Sequence, residues 1–253
     1  MDRFSKYVLL SLSFTFLPVS VVSQEQTAPS VSRDPQAVAI LAQALTVAGA
    51  SAQGAQDFTA TGAITYYWAG EEVKGSAMIR GKGTEQFSLE VTLPEKTRSV
   101  TVKGGKGATK EIDGSTTVIP YYNARNQAAA TLPLLRVAAS LSNPSTSVSY
   151  EGVVDVDGRS AHHIRLLAPN PEDDPENRFK DLRTLDVFVD ASSFLVVKTR
   201  DTIHAERDMN DHYARELFFS DYRAVNGVLV PFAMSEKFGG QRTWSLQLDS
   251  VSF

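Results

Sequence analysis

Residues 85–93 read Glu85-Gln86-Phe87-Ser88-Leu89-Glu90-Val91-Thr92-Leu93, and this stretch decides the fold. Phe87, Leu89, Val91 and Leu93 recur at every second position, with Gln86, Ser88, Glu90 and Thr92 between them. A period of two belongs to a β-strand that rests one face on a core and wets the other. The same beat runs outward in both directions. Residues 58–68 place Ala60, Gly62, Ile64, Tyr66 and Trp68 on one face, and strands are predicted at 72–80, 97–103, 108–112 and 116–121. After an interruption they resume at 147–156, 161–167, 183–189, 194–199, 213–222, 228–238 and 244–253. Gly104-Gly105, Asp157-Gly158, Asn226-Gly227 and Gly239-Gly240 separate them, and Asp113-Gly114 is read as a further tight hairpin with positive φ at both central positions. Strands joined so tightly are antiparallel. A meander this wide curls rather than staying flat. The expected fold is therefore mainly β (α+β), a single curled antiparallel sheet forming a half-open β-barrel with a concave side able to hold a ligand.

Two segments break the beat with helical spacing. Asp34 followed by Pro35 is an N-cap with proline at the first helical position, Val38, Leu41, Ala42, Leu45 and Ala48 form one stripe, and Gly49 closes the helix. The second segment, 126–141, is almost wholly apolar and ends at Asn143-Pro144. Pro133 within it predicts a break or kink, since proline removes a backbone hydrogen bond and clashes with the preceding turn. Its natural cover is the concave face of the sheet, which makes it a candidate lid. Residues 169–181 are too acidic for a core and read as an exposed loop. Glu172, Asp173, Asp174 and Glu176 lack the glycine and the alternating spacing of a calcium loop.

The chain has 253 residues, 42% hydrophobic and 21% charged, which places it among ordinary globular proteins. No internal repeat is visible, and one domain over 34–253 accommodates the strands. A formal net charge of −4 gives no footprint for a phosphate backbone, so no nucleic-acid partner is expected. Zero cysteines removes thiol nucleophiles, thiolate metal sites and iron–sulfur clusters. Residues 1–23 read as a signal peptide: Arg3 and Lys6 precede an apolar run over 7–22 that Pro18 interrupts, and Val21-Val22-Ser23 suits cleavage before Gln24. The run is shorter than the roughly 20 residues that span a bilayer. Residues 24–33 are polar and aperiodic, a flexible linker. Without a cysteine at the cleavage site no lipid attaches there, so a soluble periplasmic protein with no stable membrane span after cleavage is expected.

Catalytic signatures are missing from the sequence. No Gly-x-Ser-x-Gly elbow, phosphate-cradling loop or His-Glu-x-x-His helix occurs. No cofactor and no catalytic residue is assigned. His204, Glu206, Asp208, Asp211 and His212 gather zinc-type donors in nine positions, but at a spacing that matches no familiar metal motif and between two strands, where a solvated hairpin loop is the simpler reading. His162 and His163 are adjacent on a strand and point to opposite faces, one half-buried and the other wet. The remaining candidates are apolar. Phe87, Leu89 and Val91 with Leu132, Leu134 and Leu135 either wall a ligand cavity or pack as a solid core, and periodicity does not separate the two.

The order of elements carries a resemblance. A signal sequence, a helix, meandering strands, an apolar helical insertion after Asp113-Gly-Ser-Thr-Thr-Val-Ile-Pro-Tyr-Tyr-Asn123 and a closing strand set follow one another. The closing hairpin Phe219-Ser-Asp-Tyr-Arg-Ala-Val-Asn-Gly-Val-Leu-Val-Pro-Phe232 has an aspartate and an aromatic before the turn and a valine-proline pair after it. In these features residues 34–253 resemble the LolA/LolB-like periplasmic lipoprotein-carrier superfamily. The resemblance implies a half-open barrel with helices over its mouth and a non-enzymatic carrier or sensor whose concave face binds a lipid, a lipoprotein acyl chain or another hydrophobic molecule. The chain departs from the family's receptor-type members in having no N-terminal cysteine, and the acidic loop is an addition. Two other readings stand beside it: an envelope protein–protein interaction module with a solid core, using Tyr66, Tyr67, Trp68, Tyr121 and Tyr122, and a metal-dependent hydrolase using His204 and His212.

Overall fold

A computed structural model describes residues 31–49, 57–94, 96–127, 132–171, 177–205 and 208–253. The expected signal peptide, the linker as far as Ser30, the centre of the acidic loop and Glu206 lie outside the described residues.

Helix α1 (Pro35–Val47) begins as its sequence dictates. The Asp34 carboxylate accepts hydrogen bonds from the amides of Gln36 and Ala37, at 2.8 and 3.1 Å, satisfying two donors left open by the first turn. Gly49 ends it with φ +68°, and a Cβ there would fall 2.0 Å from the Gly227 carbonyl oxygen. Only glycine serves both the left-handed turn and this close approach. The buried stripe is Ala37, Ile40, Leu41 and Ala44.

Thirteen strands follow: β1 (Asp57–Trp68), β2 (Glu71–Lys82), β3 (Gln86–Thr92), β4 (Thr97–Lys103), β5 (Lys106–Lys110), β6 (Thr116–Ile119), β7 (Ser147–Val156), β8 (Arg159–Leu167), β9 (Thr184–Asp190), β10 (Val196–Ala205), β11 (Asp208–Val225), β12 (Val228–Phe238) and β13 (Gln241–Ser252). They form one open antiparallel sheet in the order 6-5-4-3-2-1-13-12-11-10-9-8-7. The turns at Asp157-Gly158 and Asn226-Gly227 have positive φ at both positions, as do the glycine pairs 104–105 and 239–240. Register shifts opposite Thr61/Gly62 in β13, at Val196/Lys198 in β10, opposite His204/Ala205 in β11 and opposite Glu236/Lys237 in β13 add local bend. The curl brings strands eight places apart into contact with one helix: α2 (Tyr121–Gln127) touches β4 and β5 on one arm of the sheet and β10 on the other. The architecture is the expected half-open barrel.

Several sequence expectations need correction. Tyr121 does not end β6 but opens α2, because Pro120 cannot donate to a strand ladder and its carbonyl accepts the Ala124 amide at 2.8 Å. The single kinked helix over 126–141 is instead α2 and a separate α3 (Pro133–Ser142), with 128–131 outside the described residues. Pro133 starts α3 rather than bending it, since a missing amide is harmless at the first helical position. Asp113-Gly114 is not a two-residue turn. Lys110 and Thr116 are joined by five residues, and the Asp113 carboxylate accepts from the Ser115 amide and hydroxyl at 2.8 and 2.6 Å. Phe194 precedes β10 with φ +58°, and β10 and β11 run further than their alternation suggested, taking in His204 and His212.

Both margins of the sheet remain unpaired with each other, and one is covered. Residues 32–34 run beside β7: the Val148 amide donates to the Ser32 carbonyl at 2.9 Å, and the Asp34 amide to the Val148 carbonyl at 2.8 Å. Arg33, within the stretch read as flexible linker, reaches across to the end of α3 and donates to the carbonyls of Leu141, Asn143 and Thr146 at 2.9, 2.8 and 3.2 Å. A guanidinium there satisfies carbonyls that no further helical turn can reach and sits well in the helix dipole. The core lies between the concave face and α1 and α3, where Leu41, Ile64, Ile79, Val91, Val137, Ile164 and Val187 belong to one continuous cluster.

Candidate functional site

The concave face is not uniformly apolar. Period-two alternation places Arg215 on the same face as Leu217 and Phe219, and Asp201 on the face of Thr199. They meet across β10 and β11, where Arg215 Nε and Nη2 donate to Asp201 Oδ1 and Oδ2 at 2.9 and 2.7 Å. Arg136 of α3 adds a third bond, Nη1 to Asp201 Oδ2 at 3.0 Å. Burial favours the neutral acid, but the two guanidiniums outweigh it and hold Asp201 below the usual carboxylate range. Burial, with repulsion from Arg215 and Arg125 only partly offset by Asp201, lowers Arg136 from the usual arginine value.

Asn126 at the end of α2 connects this group to the helices. Its carbonyl accepts from Arg215 Nη2 at 2.8 Å and its side-chain oxygen from Arg136 Nη2 at 3.2 Å, while Nδ2 donates to the Leu182 carbonyl at 3.3 Å. One turn earlier, Asn123 hydrogen-bonds in both directions with the backbone of His204. The helices over the mouth are thus held to the sheet by buried polar bonds as well as by apolar contact. This network was missed at the level of sequence, although the strand alternation carried the signal: a charged residue in register with buried leucines needs a buried partner.

Beside the network, where the arms of the sheet face each other across α2 and α3, lies a cavity of about 640 Å³. Val102, Leu166, Leu182 and Leu185 give it apolar walls, and Arg125, Arg136 and Arg183 face it from α2, α3 and the turn before β9, with Glu85 on the opposite arm. Such a lining suits a molecule with an apolar body and an anionic end.

Of the six residues expected to form a ligand wall, Phe87, Val91, Leu132, Leu134 and Leu135 are buried in the main apolar cluster and Leu89 is half-buried against it. The lining of the 640 Å³ cavity is a different set of residues. The five aromatics considered as a contact patch are dispersed: Trp68 and Tyr121 are exposed, Tyr122 is buried, and Tyr66 and Tyr67 are half-buried, with the Tyr67 hydroxyl 3.1 Å from Ser245 Oγ.

The histidines are likewise accounted for. His204 and His212 are cross-strand partners in the backbone register, but His204 is buried with Nδ1 2.7 Å from the Ala205 carbonyl and His212 is exposed. The stretch is strand on both sides rather than a solvated loop, and among the described residues no three His, Asp or Glu side chains converge on a point that would hold a metal ion. His162 and His163 do diverge, and neither is wet: His162 Nδ1 lies 3.0 Å from the Tyr150 hydroxyl, and His163 Nε2 lies 2.9 Å from Asp186 with its ring stacked on Phe188. Asp186 also accepts from Arg165 at 2.9 Å and Arg200 at 2.7 Å, which hold it far below the ordinary carboxylate range against the opposing effect of burial.

No helix among the described residues is long and apolar enough to cross a membrane. No family model matches the chain, and no curated protein sequence matches it. Solved structures do. A LolA superfamily protein from Nitrosomonas europaea superposes with a TM-score of 0.55 at 13% identity, over 86% of this chain and 93% of that one. A domain named for outer membrane lipoprotein sorting, from Vibrio parahaemolyticus, gives 0.53 at 10% identity over 86% and 92%. A DUF1329 family protein from Desulfovibrio piger gives 0.52 at 10% identity over 88% and 93%. The fold is that of the LolA-like lipoprotein-sorting structures, over nearly the full length of each.

Proposed function

We propose that this protein is a non-enzymatic carrier or sensor of the periplasm that shields the acyl chain of a lipid or lipoprotein, or another hydrophobic molecule, on the concave face of its sheet. The observation that carries the reading is the continuous apolar layer between that face and α3, bounded by an opening that the helices cover. Phe87, Leu89 and Val91 supply the sheet side of the chain's path, and Leu132, Leu134 and Leu135 the helical side. In this structure both sides are buried in the same apolar cluster. Moving α3 outward exposes both, and an acyl chain entering between them restores the burial.

The energetics are of the right size. Burial contributes roughly 0.8 kcal/mol per methylene, so a chain of lipid length brings on the order of 10 kcal/mol to set against the contacts that part. The polar bonds at Asp201 and Asn123 give the closed helices a defined position to return to when the chain leaves. Removal of residues 1–23 and export belong to the same reading, since a carrier of this kind works in the aqueous space between two membranes.

Native mass spectrometry of the purified mature chain, before and after delipidation, is the test. The expected result is a bound lipid that is lost on delipidation, is taken up again from short-chain phospholipid micelles, and binds more weakly to Leu89→Asp, a half-buried site that tolerates a charge better than Leu135. A folded protein that neither carries nor takes up lipid sinks the reading.

A further inference from the structure

Among the described residues, the cavity beside the buried ion network is lined by more arginines than carboxylates. Arg136 and Arg215 share the single carboxylate of Asp201, and Arg215 Nη1 is buried without a hydrogen-bond partner. Arg125, two residues beyond Asn123 in α2, lines the same cavity and has no acidic partner among the described residues. Arg183 closes the third side, its guanidinium donating to the Ala168 carbonyl and the Asn177 side chain. Glu85, exposed on the opposite arm, is the one carboxylate of the lining among the described residues.

Among the described residues, Arg125 and Arg136 line a half-enclosed space with low-dielectric walls of leucine and valine, and Arg125 acts on Arg136 as a like charge. Like charges held this way repel each other, and the repulsion is relieved by an anion that accepts several N–H bonds at once. A tetrahedral phosphate does so in the fork geometry that guanidinium favours. The position of the cavity matters equally. Leu166 and Leu185 belong both to its wall and to the main apolar cluster, so a group seated among the arginines is continuous with the region where an acyl chain would lie.

We propose that this cavity seats a phosphate group, presented by the headgroup of the amphiphile whose chain the concave face takes. The inference rests on the carrier reading for its lipid source, and on the arginine lining alone for its chemistry. It assigns Arg125 and Arg136 the selection of anionic over neutral lipids, and it makes the lid a reader of the headgroup: phosphate bound to Arg136 competes with Asp201 for the same guanidinium and so loosens α3 from the sheet.

Three probes offered to the delipidated mature chain in titration calorimetry separate the elements: dioctanoyl phosphatidylglycerol, dioctanoyl glycerol and inorganic phosphate. The phosphatidylglycerol is expected to bind about tenfold more tightly than the glycerol at low salt, with the ratio shrinking as salt is raised. In Arg125→Gln, an exposed position where the fold is retained, the ratio falls towards one, and Arg125→Lys recovers part of it. Equal affinity for the two lipids, unchanged in Arg125→Gln, overturns the phosphate seat while leaving the carrier. Phosphate bound in an Arg125-dependent way with no uptake of either lipid upholds the seat and overturns the carrier. Binding of none of the three overturns both.

Discussion

Asn123 and His204 exchange two hydrogen bonds: Asn123 Nδ2 donates to the His204 carbonyl at 2.8 Å, and the His204 amide donates to Asn123 Oδ1 at 3.0 Å. A side-chain amide here does what a neighbouring strand would do, at the point where the register shift opposite His204 and Ala205 interrupts the ladder. The helix over the mouth is fastened to the sheet at a flaw in the sheet. Replacing Asn123 by Ala leaves a buried donor and a buried acceptor unmet, and is expected to lower stability by about 2–4 kcal/mol. Urea denaturation measures the loss, and faster hydrogen exchange at the His204 amide locates it.

Among the described residues Asp201 is the only counter-charge to two buried guanidiniums, with its side chain 3% exposed and that of Arg215 1%. Asp201→Asn keeps the shape and removes the charge, and should cost about 3–5 kcal/mol, as for other buried pairs broken on one side. Joint replacement of Asp201, Arg136 and Arg215 by apolar residues of similar volume should cost much less. Denaturation of the single and triple variants checks both statements, and a single variant as stable as the parent would contradict the assignment.

Acid should unfold the protein through its inward and bridging aspartates. Asp186 and Asp201 are held below the ordinary carboxylate range, and Asp190, bonded to the hydroxyls and amides of Ser192 and Ser193, is lowered to about 2. A carboxyl with a depressed pKa in the folded state contributes its stability fully above its unfolded value of about 4, and loses it as pH falls through the folded value. Stability should therefore be level on this account above about pH 5 and fall from about pH 4 to about pH 2. Asp190→Asn should flatten part of that decline in a series of denaturation midpoints against pH.

Arg33 holds the far end of α3 through three carbonyls. Arg33→Ala should leave the sheet intact, lower stability by about 1–3 kcal/mol, and raise exchange at the amides of α3 more than at those of β1 or β13. On the carrier reading it should also speed uptake and release of bound lipid, read by stopped-flow fluorescence of a labelled chain.

The strands were legible in the sequence because one face of each is buried and the other wet, so that residues such as Phe87 and Val91 announce their side by period alone. The mouth was less legible. Tyr121 carries on the alternation of β6 in letters yet belongs to α2, because Pro120 ends the ladder and that decision is made by one missing amide. Pro133 looked like a flaw inside a helix and is the start of one, a distinction that depends on where the preceding turn lies. The charged group at Asp201 was hidden for another reason. Polar residues in a strand are read as outward by default, so the alternation that puts Arg215 in step with Leu217 and Phe219 was passed over, and the pairing of β10 with β11 sets Asp201 opposite it.

The order of strands also fixes the order in which the molecule can be built. Strands β1 to β6 pair only with neighbours in sequence, and so do β7 to β13, so each half is a run of local hairpins that closes quickly. The one distant pairing between the thirteen strands is the seam of β1 with β13, where Tyr66 meets Trp244 and Thr59 meets Ser252. Closing a loop of that span carries an entropic cost that the hairpins do not face, so the seam should form last. Until it does, two strands of 12 residues each, interior in the finished sheet and built without the safeguards of an edge, lie open to any other chain. A chain cut short before Gln241 would keep β1 paired to β2 and leave its other edge open along the whole seam, so the yield of this protein in a cell should depend more on finishing its last strand than on any residue of the mouth.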